Sequence, residues 1–565
     1  MFAVDRRTKV LTLGAMCFAL FMAMLDNTVV NVALPSIQDH FGSGVSGLQW
    51  IIDAYTLLFA AFMLTGGTLG DLYGRKRVFL AGLTIFTAGS LLAGLAPSMN
   101  VLIVARGIQG FGAAALLPGT LSILTQAFPD PKERAQAIGI WAGVSGMALA
   151  AGPIVGGALV DSLGWQSVFF LNIPIGVVAF VVARLVVRES RHPEGRHLDV
   201  PGQVLAITGL GTLTYALIEA NKYGWTSPLI LSLFAVAAVA TGLFIWVELR
   251  SSSPMLDLGF FRNRTFAAAA TVAGLVSFGM FGVFFFLTLF LQNVQGYSAF
   301  QMGVRALPMT AAIIFTAPIA GNLAGRIGPR IPMAAGLAVV GVGMLLMQRV
   351  TPGMPYGALW WNLLMMGIGM GMVMTPMTAA VMNAVPRARA GMASATSNAS
   401  REVGGVFGIA LLGAIVTHFF ASDLRTSLAK LPLPAGVKEQ IVKLASQGSG
   451  TAKGSLPTGM DTQALHHMVD NAFVSGMHVA FWVSAAILLT GSVVAAVFVH
   501  KGAPVALAEE ETAADGRATA RTAAAVTAAA TGTAGLPPSG KPASEGAADS
   551  CPPGAPAPRG APARR

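Results

Sequence analysis

The stretch GGTLGDLYGRKR (residues 66–77) decides how this chain is read, because it has an echo in AGNLAGRIGPR (320–330). Setting Gly67 against Gly321 also pairs Leu69 with Leu323, Gly74 with Gly328 and Lys76 with Arg330. Each copy follows an apolar run of about 20 residues, the length that crosses a hydrocarbon core of about 30 Å. Outward from the two copies, apolar spans fall near 10–33, 50–70, 78–96, 100–122, 135–160, 166–187, 201–220 and 228–248. Six more lie near 266–291, 303–324, 331–349, 356–381, 390–418 and 473–498. A unit repeated at corresponding positions marks a protein built from two membrane halves. Two six-span halves would set the copies six spans apart, yet they follow spans 2 and 10. Spans 7 and 8 are therefore two extra helices between the halves.

The expected fold is an all-α polytopic membrane protein with 14 transmembrane helices arranged 6+2+6. Residues 1–9 form a short N-terminus, 10–190 the first half, 198–250 the linking pair and 260–500 the second half, which carries a long loop at 419–472. The tail, 503–565, is rich in Ala, Pro, Gly and Thr and lacks the residues that offset ordering entropy, so it reads as disordered.

Composition agrees. Of 565 residues, 54% are hydrophobic and 11% charged, and the mean hydropathy is +0.67. A soluble domain has too little interior to hide that much apolar surface. The net charge of +11 does not point to nucleic acid, because the basic residues sit in alternate short loops. Arg75, Lys76 and Arg77 occupy one, Lys132 and Arg134 the next, and Arg188, Arg191 and Arg196 a third; Arg387 and Arg389 lie in a later one. The opposite short loops hold little beyond Lys222 and Arg349. The positive-inside rule makes the basic side cytoplasmic and, with an even span count, puts both termini there. Cys17 and Cys551 are too few and too differently placed for a disulfide framework.

The motifs resemble one family. LDNTVVNVALP (25–35), GTLGDLYGRKR (67–77), RGIQGFGAA (106–114), GPIVGG (152–157), WQSVFFLNIPIG (165–176) and LDVPGQ (198–203) occur in order on the expected spans. Together they resemble the fourteen-span drug:proton antiporters of the major facilitator superfamily, and in particular the antibiotic exporters of actinomycetes. The similarity covers roughly residues 10–500. It implies a bacterial inner-membrane protein, a monomer with no cofactor, that exchanges small lipophilic or cationic drugs for protons by alternating access.

Charged residues inside spans carry the chemistry, since each is costly in lipid unless it faces water or a partner. Asp26 lies about seven residues before the outer end of span 1, hence about 10 Å deep. Arg106 lies about six residues into span 4, at a similar depth. The resemblance associates this arginine with proton transfer and centres its span 1 signature on the aspartate. A static ion pair, or an Asp26 bonded to Asn27, Thr28 or Asn31, is the plainer reading. Glu402, about twelve residues into span 13 with Arg401 beside it, is the second candidate acid and would suit cationic substrates. Asp53, Glu219 and His478 fall near the outer surface and read as solvated interface residues. Asp71, Gly74 and Arg75 form a conformational loop, with Gly74 at the turn. Gly143, Gly146, Gly152, Gly156 and Gly157 give span 5 a nearly smooth face, and Pro153 removes a backbone bond, for close packing or a bend between halves. Phe281, Phe284, Met366 and Met370 are candidates for an adaptable apolar pocket, although ordinary core positions explain them as well.

No GxxxxGK[ST] loop, metal-spaced His/Cys cluster or nucleophile elbow occurs, so an ion or substrate gradient supplies the energy. Transport of a non-drug metabolite and a membrane receptor or sensor are the alternatives. A transport-direction assay separates the first, and signalling without transport would favour the second.

Overall fold

The computed structural model describes residues 6–191, 198–251, 253–385, 390–432, 434–446 and 462–500. Arg196, Arg387, Arg389, residues 447–461 of the long loop and the tail 503–565 lie outside them. Among the described residues, fourteen helices are long and apolar enough to cross a membrane. The first half holds spans 1 (Arg6–Phe41), 2 (Val45–Tyr73), 3 (Arg75–Gly94), 4 (Met99–Ala127), 5 (Gln136–Leu163) and 6 (Ser167–Val186). Spans 7 (Val200–Tyr223) and 8 (Pro228–Arg250) follow. The second half holds spans 9 (Arg264–Val294), 10 (Ala299–Ile327), 11 (Arg330–Arg349), 12 (Tyr356–Asn383), 13 (Met392–Ala429) and 14 (Gln463–Phe498). Among the described residues these helices account for nearly all regular structure, because in lipid a backbone must satisfy its own polar groups.

Several helices outrun their apolar stretches. Span 1 continues through Pro35 to Phe41, so Asp26 lies fifteen residues from the helix end, about 22 Å along the axis. Span 2 starts at Val45, which buries Asp53 completely; the expected solvated position is corrected. Glu219 is also buried and accepts from Trp50 Nε1 at 3.1 Å, while a ring nitrogen of His478 lies 2.8 Å from the Val350 carbonyl. Spans 13 and 14 extend into the long loop, which contains a further helix, Ala435–Ser446. Phe420, Leu424, Leu428, Ile441, Val442 and Leu465 close a small core there. Arg425 donates to Glu439 at 2.8 Å and holds that exposed carboxyl below its ordinary range. These segments are too polar to read as spans, but their apolar residues still recur at helical spacing.

Helices approach closely where glycines face backbone. A Cβ on Gly82 would meet the Gly112 carbonyl at 2.8 Å, and one on Gly112 would meet that of Gly82 at the same distance. Span 7 lies along the seam between the halves. Gln203 donates to the Ala61 carbonyl of span 2 at 3.0 Å, and Asn221 to the Ala414 carbonyl of span 13 at 2.7 Å.

The two halves meet mainly on the side opposite the basic loops. One core joins Leu34, Ile37, Leu48 and Trp165 of the first half to Phe285, Leu291, Met302 and Phe481 of the second. Nearer the basic loops, Met16, Leu20, Phe79, Leu124 and Ala183 form a separate core of the first half. Hydrogen bonds between the halves follow the same division. Gln49 donates to the Ile409 carbonyl at 2.7 Å, Gln292 to that of Val32 at 3.0 Å, and Asn293 to Gln38 Oε1 at 2.9 Å. Asp161, at the end of span 5, accepts from Ser298 Oγ (2.6 Å) and from the backbone N–H groups of Ala299 and Phe300 (3.1 Å each) at the start of span 10.

Candidate functional site

The centre of the first half holds a buried polar cluster built on five spans. Arg106, fully buried on span 4, donates through Nη1 to Asp26 Oδ2 of span 1 at 2.6 Å; Asp26 is 1% exposed. The same nitrogen donates to Gln109 Oε1 at 2.9 Å, and Nε donates to the Ile51 carbonyl of span 2 at 3.1 Å. Asp26 Oδ1 accepts from Asn172 Nδ2 of span 6 at 2.7 Å and from Gln109 Nε2 at 3.3 Å. Ser90 Oγ accepts from the same Asn172 nitrogen at 2.9 Å and donates to the Phe169 carbonyl. Charge-assisted bonds of this kind are about twice as strong as neutral ones, and here every partner is held by a packed helix.

Asp26 is thus a fully engaged carboxylate. It is not bonded to its span 1 neighbours, because Asn31 donates to the Asn27 carbonyl and Thr28 to that of Leu25. The guanidinium lies 4.4 Å over the Tyr55 ring and 5.9 Å from the Phe169 ring, where a cation is attracted to the π face. Donors and acceptors remain unspent around the pair. Arg106 Nη2, Asn172 Oδ1 and the Tyr55 hydroxyl are buried with no hydrogen-bond partner among the described residues.

Glu402 is not brought into contact with that pair. It is buried on span 13, and its Oε2 has no partner among the described residues. Arg401 donates to Asn398 Oδ1 at 3.4 Å. Asp53 adds a third buried acid, with neither oxygen partnered among the described residues. It lies one turn from Gln49, on the face of span 2 that meets span 13.

The remaining motif residues lie apart from this cluster. Asp71 accepts from Arg75 Nε (3.0 Å) and Nη2 (2.9 Å). Gly74 holds φ 112°, a conformation that favours glycine, and a Cβ there would meet the Glu189 carboxylate at 2.7 Å. Glu189 accepts from the backbone N–H of Lys76 at 3.0 Å and of Arg77 at 3.2 Å, so it caps span 3. Gly152 and Gly156 press on Thr28 and Val29 of span 1, and Gly157 on Ala299 and Phe300 of span 10. Pro153 packs its carbonyl against Gly303. A Cβ on Gly139, Gly143 or Gly146, nearer the basic loops, would meet nothing within 4 Å.

Gln109, Asn172, Tyr55, Asp161 and Glu189 were not singled out by the sequence reading, although Gln109 and Asn172 fall inside the quoted RGIQGFGAA and WQSVFFLNIPIG motifs. In the second half Met280, Phe284, Met309, Met344, Met366 and Met370 line an apolar crevice, whereas Phe281 packs near Gly405.

A family model described as the Major Facilitator Superfamily matches residues 16–409. The multidrug resistance protein Stp of Mycobacterium tuberculosis is 39% identical over 487 residues, covering 85% of this chain and 90% of that protein. The tetracenomycin C resistance and export protein of Streptomyces glaucescens is 34% identical over 506 residues, covering 88% and 93%. A bacterial homologue of the human lysosomal transporter Spinster, solved inward-facing and occupied, matches with a TM-score of 0.60 at 18% identity. That match covers 86% of this chain and 97% of the other, and it bears on the fold alone.

Proposed function

The chain belongs to the Major Facilitator Superfamily, and from that membership we propose that it exports small lipophilic or cationic drugs or antibiotics in exchange for protons. It is a multi-pass membrane transporter and not an enzyme. The names of its relatives, a multidrug resistance protein and an antibiotic export protein, support the substrate class. The observation that carries the coupling is the buried Asp26–Arg106 pair. In this reading the basic loops are cytoplasmic, both termini are inside, and the two halves rock about a central path.

With the proton absent, Arg106 grips Asp26 and the carboxylate is fully engaged. A proton on Asp26 removes the charge that holds the guanidinium, and Arg106 Nη1 is released towards the Gln109 and Asn172 amides. Substrate and proton then compete for one electrostatic state. Asp53 and Glu402 are further acids on the path, and a proton is the smallest ligand that cancels a buried negative charge. One proton moving through about 100 mV contributes about 2.3 kcal/mol, and one pH unit adds about 1.4 kcal/mol. Together they sustain a substrate gradient of roughly 500-fold.

The acid on span 13 makes a selective prediction. Glu402→Gln is expected to lower efflux of permanently cationic dyes by about tenfold, the scale of one lost charge interaction, and to spare neutral drugs. Parallel efflux assays with one substrate of each charge check this. Equal losses for both would remove Glu402 from cation recognition.

Closure on the side opposite the basic loops depends on Asp161. Asp161→Ala removes three hydrogen bonds to span 10, about 1–2 kcal/mol in net effect, which shifts the balance of the two access states roughly 5- to 30-fold towards opening there. Spin labels at the exposed Leu163 and Trp360 positions are expected to report a longer distance in the variant. An unchanged distribution would show that Asp161 does not hold that side shut.

A further inference from the structure

Arg305 is an intramembrane cation that the transport path leaves unused. It ends the helix Ala299–Arg305, where span 10 breaks at Ala306 before continuing as Leu307–Ile327. Its guanidinium carbon lies 3.7 Å over the Tyr297 ring and 5.3 Å from the Tyr356 ring. Tyr356 donates its hydroxyl to the Arg305 carbonyl at 2.8 Å, so the ring cannot swing away freely. Nη1 donates to the Gln301 carbonyl at 3.2 Å. Nε is buried with no acceptor among the described residues, Nη2 makes no hydrogen bond among them, and no carboxylate there pairs with the guanidinium. A positioned, uncompensated cation within a membrane span calls for a partner.

The space beside it defines that partner. A cleft of about 520 Å³ is lined by Val304, Arg305, Leu307, Pro308, Ala311 and Tyr356, with the guanidinium the one charge among apolar walls. Below it, Pro308, Ala311, Phe315 and Ile319 follow one another at steps of three and four, along one face of the helix. Phe315 and Ile319 are 73% and 65% exposed, which is the exposure of a lipid-facing stripe. Tyr356 begins span 12, and the exposed Trp360 and Trp361 follow within two turns; aromatics at a span end mark the head-group level.

We propose that this cleft binds an anionic phospholipid, with its phosphate on Arg305 and an acyl chain along the Pro308–Ile319 face. Charge complementarity selects a lipid with net negative charge over a zwitterionic one, and the apolar continuation selects a lipid over a soluble anion. The same cation repels cationic drugs, which separates this site from the Asp26 cluster. An anion here would brace the break at Ala306 against span 12.

The test uses the purified full chain, delipidated in a neutral detergent, with dioleoylphosphatidylglycerol or dioleoylphosphatidylcholine added back. Lipid retention by native mass spectrometry and melting temperature are the readouts. Phosphatidylglycerol is expected to be retained and to raise the melting temperature, while phosphatidylcholine does neither. Arg305→Gln should weaken phosphatidylglycerol retention about tenfold, the scale of one charge-assisted contact, and Arg305→Lys should recover part of it. Ala311→Trp, which fills the cleft and keeps the arginine, should lose retention as well. Equal retention of phosphatidylglycerol by wild type and Arg305→Gln would overturn the proposal. So would a full stabilising effect from glycerol phosphate, which carries the head-group chemistry without chains.

Discussion

Asp26→Asn is expected to collapse the substrate gradient from roughly 500-fold to near unity while substrate exchange across the membrane continues. The variant keeps the shape of the side chain and an acceptor oxygen, and loses the titratable charge. Arg106 is then left without its counter-ion at full burial, although Gln109 Oε1 and the Ile51 carbonyl still accept from it. Removing one partner of a buried pair costs about 3–5 kcal/mol, so the melting temperature should also fall. Asp26→Asn/Arg106→Gln removes both charges and is expected to recover much of that stability without recovering gradient-driven transport. Melting curves and energised efflux on the three proteins separate folding from coupling. Full efflux by Asp26→Asn would take the proton off this residue.

Gly303→Leu is expected to abolish transport for a different reason. The Gly303 Cα faces the Pro153 carbonyl, and Gly157 faces Ala299 and Phe300, so the two helices meet with no room for a side chain. A leucine there wedges spans 5 and 10 apart on the side opposite the basic loops. Overpacking costs about 1–3 kcal/mol, which is roughly 5- to 150-fold in a two-state balance. The protein should fold, because the first half keeps its separate core and most of the shared core lies away from the wedge, but it should rest open on that side. The Leu163–Trp360 distance should lengthen, and a membrane-impermeant thiol reagent should reach a cysteine placed at Val29. A variant that transports normally and keeps the wild-type distance would show that the glycine contact is not part of the cycle.

The sequence disclosed the membrane architecture well because hydropathy and charge act residue by residue. Each apolar run is long enough to identify itself, and the displaced repeat separates spans 7 and 8 from their neighbours. Depth was harder. Asp26 and Arg106, expected to share a level, do touch, while the span 1 helix runs on past its apolar stretch through Pro35 and a polar last turn. The same effect hid Asp53, since hydropathy marks where apolar residues begin and the span 2 helix begins earlier, at Val45.

Partnerships across the bundle were not legible. Nothing in the spacing of Asn172 says that its amide reaches Asp26 on another helix, or that Glu189 caps span 3 from more than 100 positions away. Asp161 looks like an ordinary polar residue at a span end until span 10 is seen to begin against it. Such contacts arise from how helices pack, and one chain's hydrophobic pattern does not encode them separately. Arg305 shows the opposite difficulty. A single cation near a span end is easily taken for a snorkelling residue, and its two tyrosines come from different stretches of chain.

Proton coupling through the Asp26–Arg106 pair is tested most directly in proteoliposomes of the purified chain, with an imposed pH gradient and a fluorescent lipophilic cation as substrate. With no nucleotide present, the wild type is expected to accumulate the dye against its gradient and to release it when an uncoupler is added, while Asp26→Asn only equilibrates it. Accumulation that persists after the proton gradient is collapsed, or that is undiminished in Asp26→Asn, would contradict the account.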